Sequence, residues 1–443
     1  MFAPAVDHEL NRELREVDAV LAAHPEWERW VHADLTRGVA ADLGRDGMPA
    51  SRVLRVHVLL KRLNMPLRRF APLLADSLSL REFIGLGLAD RAPKRSTLQE
   101  NLQKVVPETW GKLLEGLARS VEARAHETGE KARVDATVTA TNIHPPSDSS
   151  LLWDCTRVLT RLMREASDLF AVEFLDLSKA AKKLHHGIFY ARTKAQREPA
   201  YGKFLEVAGK VRGEAKTVVE ALRGLEPSAW KDLAMRDGLV SELEQYQAFF
   251  ARVIDQTQRR VLRGETVPAR EKIFSVFEPQ TDIIVKNGNR PAEYGHKLTL
   301  TVGKSGMVLD CVIERGNPGD VTLATRQIER QKALFGRAPT TIVFDGAYAS
   351  KENLDQAKAL GVERCAFSKG RGLTAEEMAG SRRTYGRLRN FRAGIEATVS
   401  YLKRSFGLDC CTWKGWARFQ SYVWSAVFAA NLTILARRRL CAT

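Results

Sequence analysis

The sequence has few features of an exported, membrane-spanning or low-complexity protein. Its 443 residues include only six cysteines, and no CxxC pair occurs, so neither a disulfide framework nor a zinc site is indicated. No stretch is dominated by Gly, Ser or Gln. The longest apolar run, residues 422–436, is interrupted by Ser, Asn and Thr and falls short of the roughly 18 residues that cross a bilayer. Because no signal peptide is evident either, we expect a cytoplasmic protein without membrane contact.

Positive charge is the most informative feature of the composition. The chain has 69 Lys and Arg residues against 53 Asp and Glu residues, a formal net charge of +16. In a cytosolic protein this surplus indicates a polyanionic partner, because Lys and Arg contacts to phosphate release condensed counterions. Composition alone also allows the simpler interpretation that the charge only keeps the protein soluble.

Hydrophobic patterning divides the chain into regions. Apolar residues at helical spacing from Asp7 to about His126 predict an all-α domain over residues 1–130, and its basic helices around Pro66 are typical of compact helix-turn-helix units that contact DNA. The alternation RVDATVTAT then predicts a strand, the first of a core that begins with residues 131–149. Helical texture over residues 150–265 predicts an all-α insertion after that strand.

Residues 266–443 alternate strands with helices. The pattern predicts a hairpin at 296–314, helices at 322–334 and 351–360, strands at 340–346 and 364–367, a helix at 391–406 and a buried C-terminal helix. Together with the first strand, these elements make a mixed sheet with flanking helices, so the expected fold class is α/β.

Three acidic residues have unusual surroundings. Asp135 lies in the middle of the first strand, Asp345 ends an apolar strand, and Glu396 lies within a strongly basic helix. Taken singly, each is explained as a strand-end cap or an ion-pair partner. Brought together, three carboxylates repel one another unless they hold cations, and oxygen-only ligands suit Mg²⁺ or Mn²⁺. Two such ions about 4 Å apart activate water and stabilise a leaving 3′ oxygen in phosphodiester transfer.

The helix around Glu396 resembles a known signature. In RAGIEATVSYLK, Arg392, Glu396 and Lys403 are spaced R-(3)-E-(6)-K, as in bacterial insertion-sequence DDE transposases, which have a ribonuclease H-like core. The segments VDATVTATNIHPPSDSSLLWD, EYGHKLTLTV and FDGAYASKENL resemble the strand motifs of that group, closest to its ISNCY-type members. The resemblance covers about residues 132–436, and LNMPLRRFAPLL is similar to the terminal-repeat-binding region of the same elements.

The resemblance implies specific site residues. Asp135, Asp345 and Glu396 would be catalytic and would hold two Mg²⁺ ions, for which Mn²⁺ can substitute. Arg392 and Lys403 share a helix face with Glu396 and would contact the DNA backbone or a terminal phosphate.

The expected roles of three further residues are less specific. Arg389 stands where the signature has a tyrosine, so a phosphate contact is retained there but a stacking ring is lost. Arg404 is expected to add to the same DNA-binding face. His296 introduces the second strand, where its imidazole either lies near the metal pocket or is an ordinary buried polar group.

The implied function is that of a DDE transposase, which cleaves the ends of its element and transfers the freed strand into target DNA. Its partners would be double-stranded DNA, as terminal inverted repeats and as target, and a second copy of the chain in a homodimer. A catalytically inactive DNA-binding derivative and a structure-selective nuclease with the same core remain alternatives.

Overall fold

The computed structural model describes residues 9–38, 47–123, 127–285 and 291–442. The chain forms two compact units, one within residues 1–142 and 295–443 and the other within residues 143–294. Asp7 and His126, the expected limits of the N-terminal helices, lie outside the described residues.

The N-terminal part of the first unit is helical. Its helices are α1 Glu9–Ala22, α2 Pro25–Leu35, α3 Ala50–Leu63, α4 Leu67–Asp76, α5 Leu78–Phe83, α6 Arg95–Lys104 and α7 Pro107–Ala123. Trp27 of α2 and Trp110 of α7 are fully buried, and both rings contact the edge or face of Phe428 in the C-terminal helix. The N-terminal helices therefore share one hydrophobic core with the C-terminal part of the chain.

A mixed sheet occupies the rest of the first unit. Its strands are β1 Lys131–Thr141, β3 Glu293–Gly303, β4 Val308–Ile313, β5 Thr341–Phe344, β6 Arg364–Phe367 and the short β7 Cys410–Cys411. β1 pairs antiparallel with β3 and parallel with β5, β4 pairs antiparallel with β3, and β6 pairs parallel with β5. The order β4-β3-β1-β5-β6 places β1 at the centre, which explains why this strand is buried along most of its length.

Helices flank this sheet. They are α12 Ala324–Phe335, α13 Lys351–Ala359, α14 Ala375–Ala379, α15 Arg382–Phe406 and α16 Trp416–Ala442. The helix expected at 391–406 begins nine residues earlier, because the Ser381 hydroxyl caps it by accepting a hydrogen bond from the Thr384 backbone N–H. This correction makes α15 a single rigid rod of 25 residues that positions the basic residues on both sides of Glu396.

The apolar C-terminal run forms a buried helix. Trp416–Cys441 is long and apolar enough to cross a membrane, but 83% of its most apolar stretch is buried inside the protein. The packing of α16 against α1, α3 and α7 accounts for that burial.

The second unit is mostly helical. It contains α8 Asp148–Phe170, α9 Ser178–Tyr190, α10 Lys194–Arg223 and α11 Trp230–Thr257, followed by the short strand β2 Asp282–Ile284. Ser147 and Ser150 form a reciprocal capping box at the start of α8, so Ser147 rather than Asp148 caps this helix. Asp148 instead accepts both hydrogen bonds of an ion pair with Arg260 at 3.0 Å.

Candidate active site

Two neighbouring parallel strands bring Asp135 and Asp345 together. In the β1–β5 register Val134 pairs with Phe344, and each aspartate is the next residue along its strand. Asp135 continues β1, whereas β5 ends at Phe344 and leaves Asp345 at its carboxyl edge. The sheet therefore places the two acids side by side at the carboxyl end of β5, the kind of edge where open α/β sheets bind ligands.

The helix α15 supplies the third acid and is held to β1 by Arg133. The Arg133 Nη1 atom donates a 2.9 Å hydrogen bond to the carbonyl oxygen of Phe391, and its guanidinium lies 4.9 Å from the centre of the Phe391 ring. Gly394 makes this approach possible, because a Cβ atom there would lie 2.2 Å from Arg133 Nη1. Arg392 and Glu396 lie two residues before and two residues after Gly394 in α15, and are thereby positioned over Asp135.

Arg392 contacts all three acids. Its Nη2 atom lies 2.7 Å from Oδ2 of Asp135 and 3.2 Å from Oδ1 of Asp345, and its Nη1 atom lies 3.0 Å from Oε1 of Glu396. The exposed fractions of the carboxyl side chains are 19% for Asp135, 37% for Asp345 and 71% for Glu396. The three residues predicted from sequence thus converge on one positive group, at a site that opens to solvent on the Glu396 side.

The two aspartates differ in their affinity for protons. Burial raises the pKa of Asp135 to about 6, even though Arg392 and the Ala136 backbone N–H oppose the shift. Burial also acts to raise the pKa of Asp345, but Arg392, the Ser368 hydroxyl and the following backbone N–H groups outweigh it and hold that pKa below its ordinary value. Asp345 is therefore the more firmly ionised of the two.

The donor set suits a hard divalent cation. All three side chains offer carboxylate oxygens, which Mg²⁺ and Mn²⁺ prefer. Among the described residues, no three His, Cys, Asp or Glu side chains are grouped closely enough to hold an ion as they stand. At the site described above, the Arg392 guanidinium lies against all three carboxylates and supplies the positive charge that balances them. The residues fit a metal on condition that Arg392 moves aside.

A cleft of about 560 Å³ adjoins the acids and has a basic wall. Asp135 and Glu396 line it together with Lys403 and Arg404 from the last turn of α15. The Lys403 Nζ atom lies 3.7 Å from Oδ1 of Asp409, and Arg404 is exposed. Both predicted basic residues therefore face the same cleft as the acids.

Arg389 lies apart from this cleft. Its side chain is exposed, and its guanidinium carbon lies 6.0 Å from the centre of the Tyr385 ring. Tyr385 itself is anchored, because its hydroxyl donates a 2.9 Å hydrogen bond to the carbonyl oxygen of Phe367.

His296 is not brought to the acids. It pairs with Thr139 of β1, four positions from Asp135, and four strand residues span roughly 13 Å. The imidazole is buried, with ring centres 4.8 Å from Trp416 and 4.7 Å from Phe419. Its surroundings are those of a packed core residue.

Ser368 is a site residue that the sequence patterns did not single out. Its hydroxyl donates a 2.9 Å hydrogen bond to Oδ1 of Asp345 and accepts one of 2.8 Å from the Gly346 backbone N–H. Ser368 follows β6, which is parallel to β5, so the strand pattern could have indicated that Ser368 lies at the same sheet edge as Asp345. The hydroxyl fixes the orientation of the Asp345 carboxylate.

Asp320 adds negative charge near the acids. Its Oδ1 atom forms a 3.0 Å ion pair with Nζ of Lys297 on β3. Its negative charge adds to the rise in the pKa of Asp135.

Two segments of the chain match known protein families. Residues 257–432 match the family described as "Transposase DDE domain", and residues 5–104 match the family described as "Transposase domain (DUF772)". No curated protein and no solved structure matches the chain. The two family matches support an insertion-sequence transposase. Asp345, Glu396, Arg392 and Lys403 lie within the DDE match, whereas Asp135 lies outside both matched segments.

Proposed function

We propose that the chain is a DDE transposase that cleaves the ends of its element and joins the freed 3′ ends to target DNA. The observation that supports this most directly is the convergence of Asp135, Asp345 and Glu396 on one cationic group, beside a cleft whose wall carries Lys403 and Arg404. The sheet order, with one acid on the central strand and the next at the end of its parallel neighbour, supports the ribonuclease H-like core that the sequence resemblance implies.

Asp135, Asp345 and Glu396 would hold two Mg²⁺ ions, or Mn²⁺ in their place. When bound, the ions supply Lewis-acid activation of the attacking water and stabilise the leaving 3′ oxygen. Ser368 holds the Asp345 carboxylate in a fixed orientation, and Arg133 fixes α15 against β1. The chain thus sets the positions of its three acids before DNA arrives, which is the source of positional catalysis.

Arg392 serves both the acids and the DNA in this proposal. Its guanidinium neutralises the three carboxylates that it contacts, and it would be available to a DNA phosphate when those carboxylates hold cations. Lys403 and Arg404 extend the phosphate-binding surface along the cleft, and Arg389 binds phosphate further along the same helix. No covalent enzyme–DNA intermediate is needed.

The other regions take supporting roles. The N-terminal helices of residues 1–130 bind the terminal inverted repeats, and residues 131–149 and 266–443 form the catalytic core around the insertion 150–265. Because two element ends must be processed in concert, the active species is a homodimer. The chain acts in the bacterial cytoplasm at the nucleoid, and the segments that resemble ISNCY-type elements support its membership of that group.

Cleavage of end-containing DNA in Mg²⁺ tests the proposal. Asp345→Asn keeps the size of the side chain and the hydrogen bond from Ser368 but removes a charge, so we expect end binding to persist while strand cleavage is lost. Asp355→Asn makes the same change at an exposed position of α13 and should cleave like the unmodified protein. Cleavage retained by Asp345→Asn removes this residue from the site.

Pre-cleaved end DNA incubated with a plasmid separates the proposal from its alternatives. Joined products support a transposase. Cuts in the plasmid without joining favour a structure-selective nuclease with the same core, and binding without either reaction favours an inactive DNA-binding derivative.

A further inference from the structure

The helix α9 in the second unit presents an unusually basic surface. The segment SKAAKKLHHGIFYARTKAQR, residues 178–197, contains six Lys and Arg residues and no Asp or Glu. We call these six residues the basic stripe: Lys179, Lys182, Lys183, Arg192, Lys194 and Arg197. All six side chains are exposed, and within the described part of the chain none of them forms an ion pair with a carboxylate.

The basic residues of α9 lie on one face. Lys182 and Lys183 lie three and four residues after Lys179, and His186 lies four and three residues after them, which places neighbouring Cβ atoms about 5 to 6 Å apart. The opposite face of the helix carries Ala181 and Ile188, which are buried in the core of this unit. The three lysines therefore lie on the solvent side of the helix, within about 6 Å along its axis at 1.5 Å per residue.

Two exposed aromatic residues end this face. Phe189 is 69% exposed and Tyr190 is 75% exposed. Their ring centres are 5.2 Å apart and the rings are perpendicular, and His186 contacts Tyr190 in the same edge-on manner at 6.5 Å. Large aromatic side chains left in solvent indicate a surface that a partner covers, since their burial contributes much of the energy of association.

Cations without carboxylate partners beside exposed rings favour a nucleic acid over a protein partner. Phosphates supply charges complementary to the stripe, and deoxyriboses or an opened base step supply flat apolar surface for the rings. A protein partner would need an acidic face of comparable charge density around an apolar centre.

We propose that α9, the loop after it and the first turn of α10, residues 178–197, form a second DNA-binding surface, distinct from the cleft at the acids. The six cations bind backbone phosphates, and Phe189 and Tyr190, which lie between Lys183 and Arg192 in the sequence, pack against the DNA. This inference rests on the proposed function in one respect, namely that the chain acts on DNA.

Fluorescence anisotropy with the full-length protein and a labelled duplex tests the charges. The titration is repeated at several salt concentrations in EDTA, so that cleavage does not contribute. Replacing Lys179, Lys182 and Lys183 by Gln should weaken binding roughly 10- to 100-fold and reduce the slope of log K against log salt by up to about 2.7, which is 0.9 for each lost phosphate contact. The matched control replaces Lys203, Lys210 and Lys231, exposed lysines of the same unit that lie outside the basic stripe, by Gln.

A second variant, Phe189→Ser with Tyr190→Ser, tests the rings. It should weaken binding several-fold without changing the salt slope, and sedimentation should show an unchanged mass. A change of mass with unchanged DNA affinity would mean that the rings contact another copy of the chain, and it would overturn the proposed contact with DNA.

The charge variant also separates this inference from the proposed function. Equal losses in the stripe variant and its control, or no loss in either, overturn the stripe as a specific surface. An unmodified protein that binds no duplex at all contradicts the proposed function itself, whereas strong binding that the stripe variant retains contradicts only this inference.

Discussion

Replacement of Arg392 by Gln tests how the acids are stabilised when no metal is bound. Arg392 forms ion pairs with Asp135, Asp345 and Glu396 at 2.7, 3.2 and 3.0 Å, so its loss leaves three carboxylates facing one another. Removing one partner of a fully buried pair costs roughly 3 to 5 kcal/mol, whereas exposed pairs contribute about 0 to 1 kcal/mol. Because Glu396 is mostly exposed and Asp345 partly so, we expect a loss of about 1 to 3 kcal/mol in the free energy of unfolding.

The same variant should bind metal more tightly. Arg392 competes with the cation for the same carboxylates, so its removal frees them. A ligand at 100 times its dissociation constant stabilises the folded state by about 2.7 kcal/mol, and we therefore expect Mg²⁺ or Mn²⁺ to restore most of the lost stability. Unfolding by denaturant, in EDTA and over a metal titration, measures both effects.

Arg389→Gln is the control for this experiment. It removes the same charge from α15 at an exposed position that does not contact the acids, and it should change neither the stability nor the response to metal. An Arg392→Gln protein as stable as the unmodified one in EDTA, with no larger response to metal, would refute the assignment of Arg392 as the resident counterion.

Two further predictions concern α15, which carries the third acid, and one concerns a buried lysine of α3. Gly394→Ala drives a Cβ atom into Arg133, so it should lower stability by about 1 to 3 kcal/mol and slow end cleavage. The control Gly386→Ala, on the same helix, meets nothing within 4 Å and should be neutral or stabilising by up to about 1 kcal/mol. Equal effects of the two variants in thermal melts would contradict this prediction. Ser381→Ala removes the cap of α15 and should cost about 1 kcal/mol, and an unchanged melt shows that the cap contributes nothing. Lys61 is 4% exposed, and burial holds its pKa well below the ordinary lysine value, so Lys61→Met should stabilise the protein by roughly 1 to 3 kcal/mol at neutral pH. Because a lowered pKa means that the folded chain binds a proton at Lys61 less readily than the unfolded chain does, this gain should shrink as the pH rises toward about 10.4, the ordinary lysine pKa, and a gain independent of pH would contradict the lowered pKa.

Local patterns predicted most of the elements around the site. The period-two alternation of the first strand and the apolar residues of β5 predicted the ends of both strands to within two residues, because each strand is buried against neighbours on both sides. The start of α15 was wrong, since the stretch before residue 391 is rich in Arg and Gly and has no apolar face to reveal a helix. Its beginning depends on the Ser381 cap, which a periodicity analysis does not weigh.

The contacts within the site were harder to predict from the sequence. The spacing of Arg392, Glu396 and Lys403 identified one helix face, but the contact of Arg392 with acids rather than phosphate depends on the β1–β5 register and on the Arg133 anchor. His296 lies on the strand next to β1, as expected. The register of that strand, however, places the His296 ring among Trp416 and Phe419. Distances across a sheet follow from register, and neither composition nor spacing provides it.

The most direct test of the central claim is anomalous diffraction from crystals of the protein grown with Mn²⁺ and end DNA. The account predicts anomalous density bonded to carboxylate oxygens of Asp135, Asp345 and Glu396, with the Arg392 guanidinium displaced toward a phosphate. Manganese density elsewhere, with Arg392 still between the three acids at saturating metal, would contradict it.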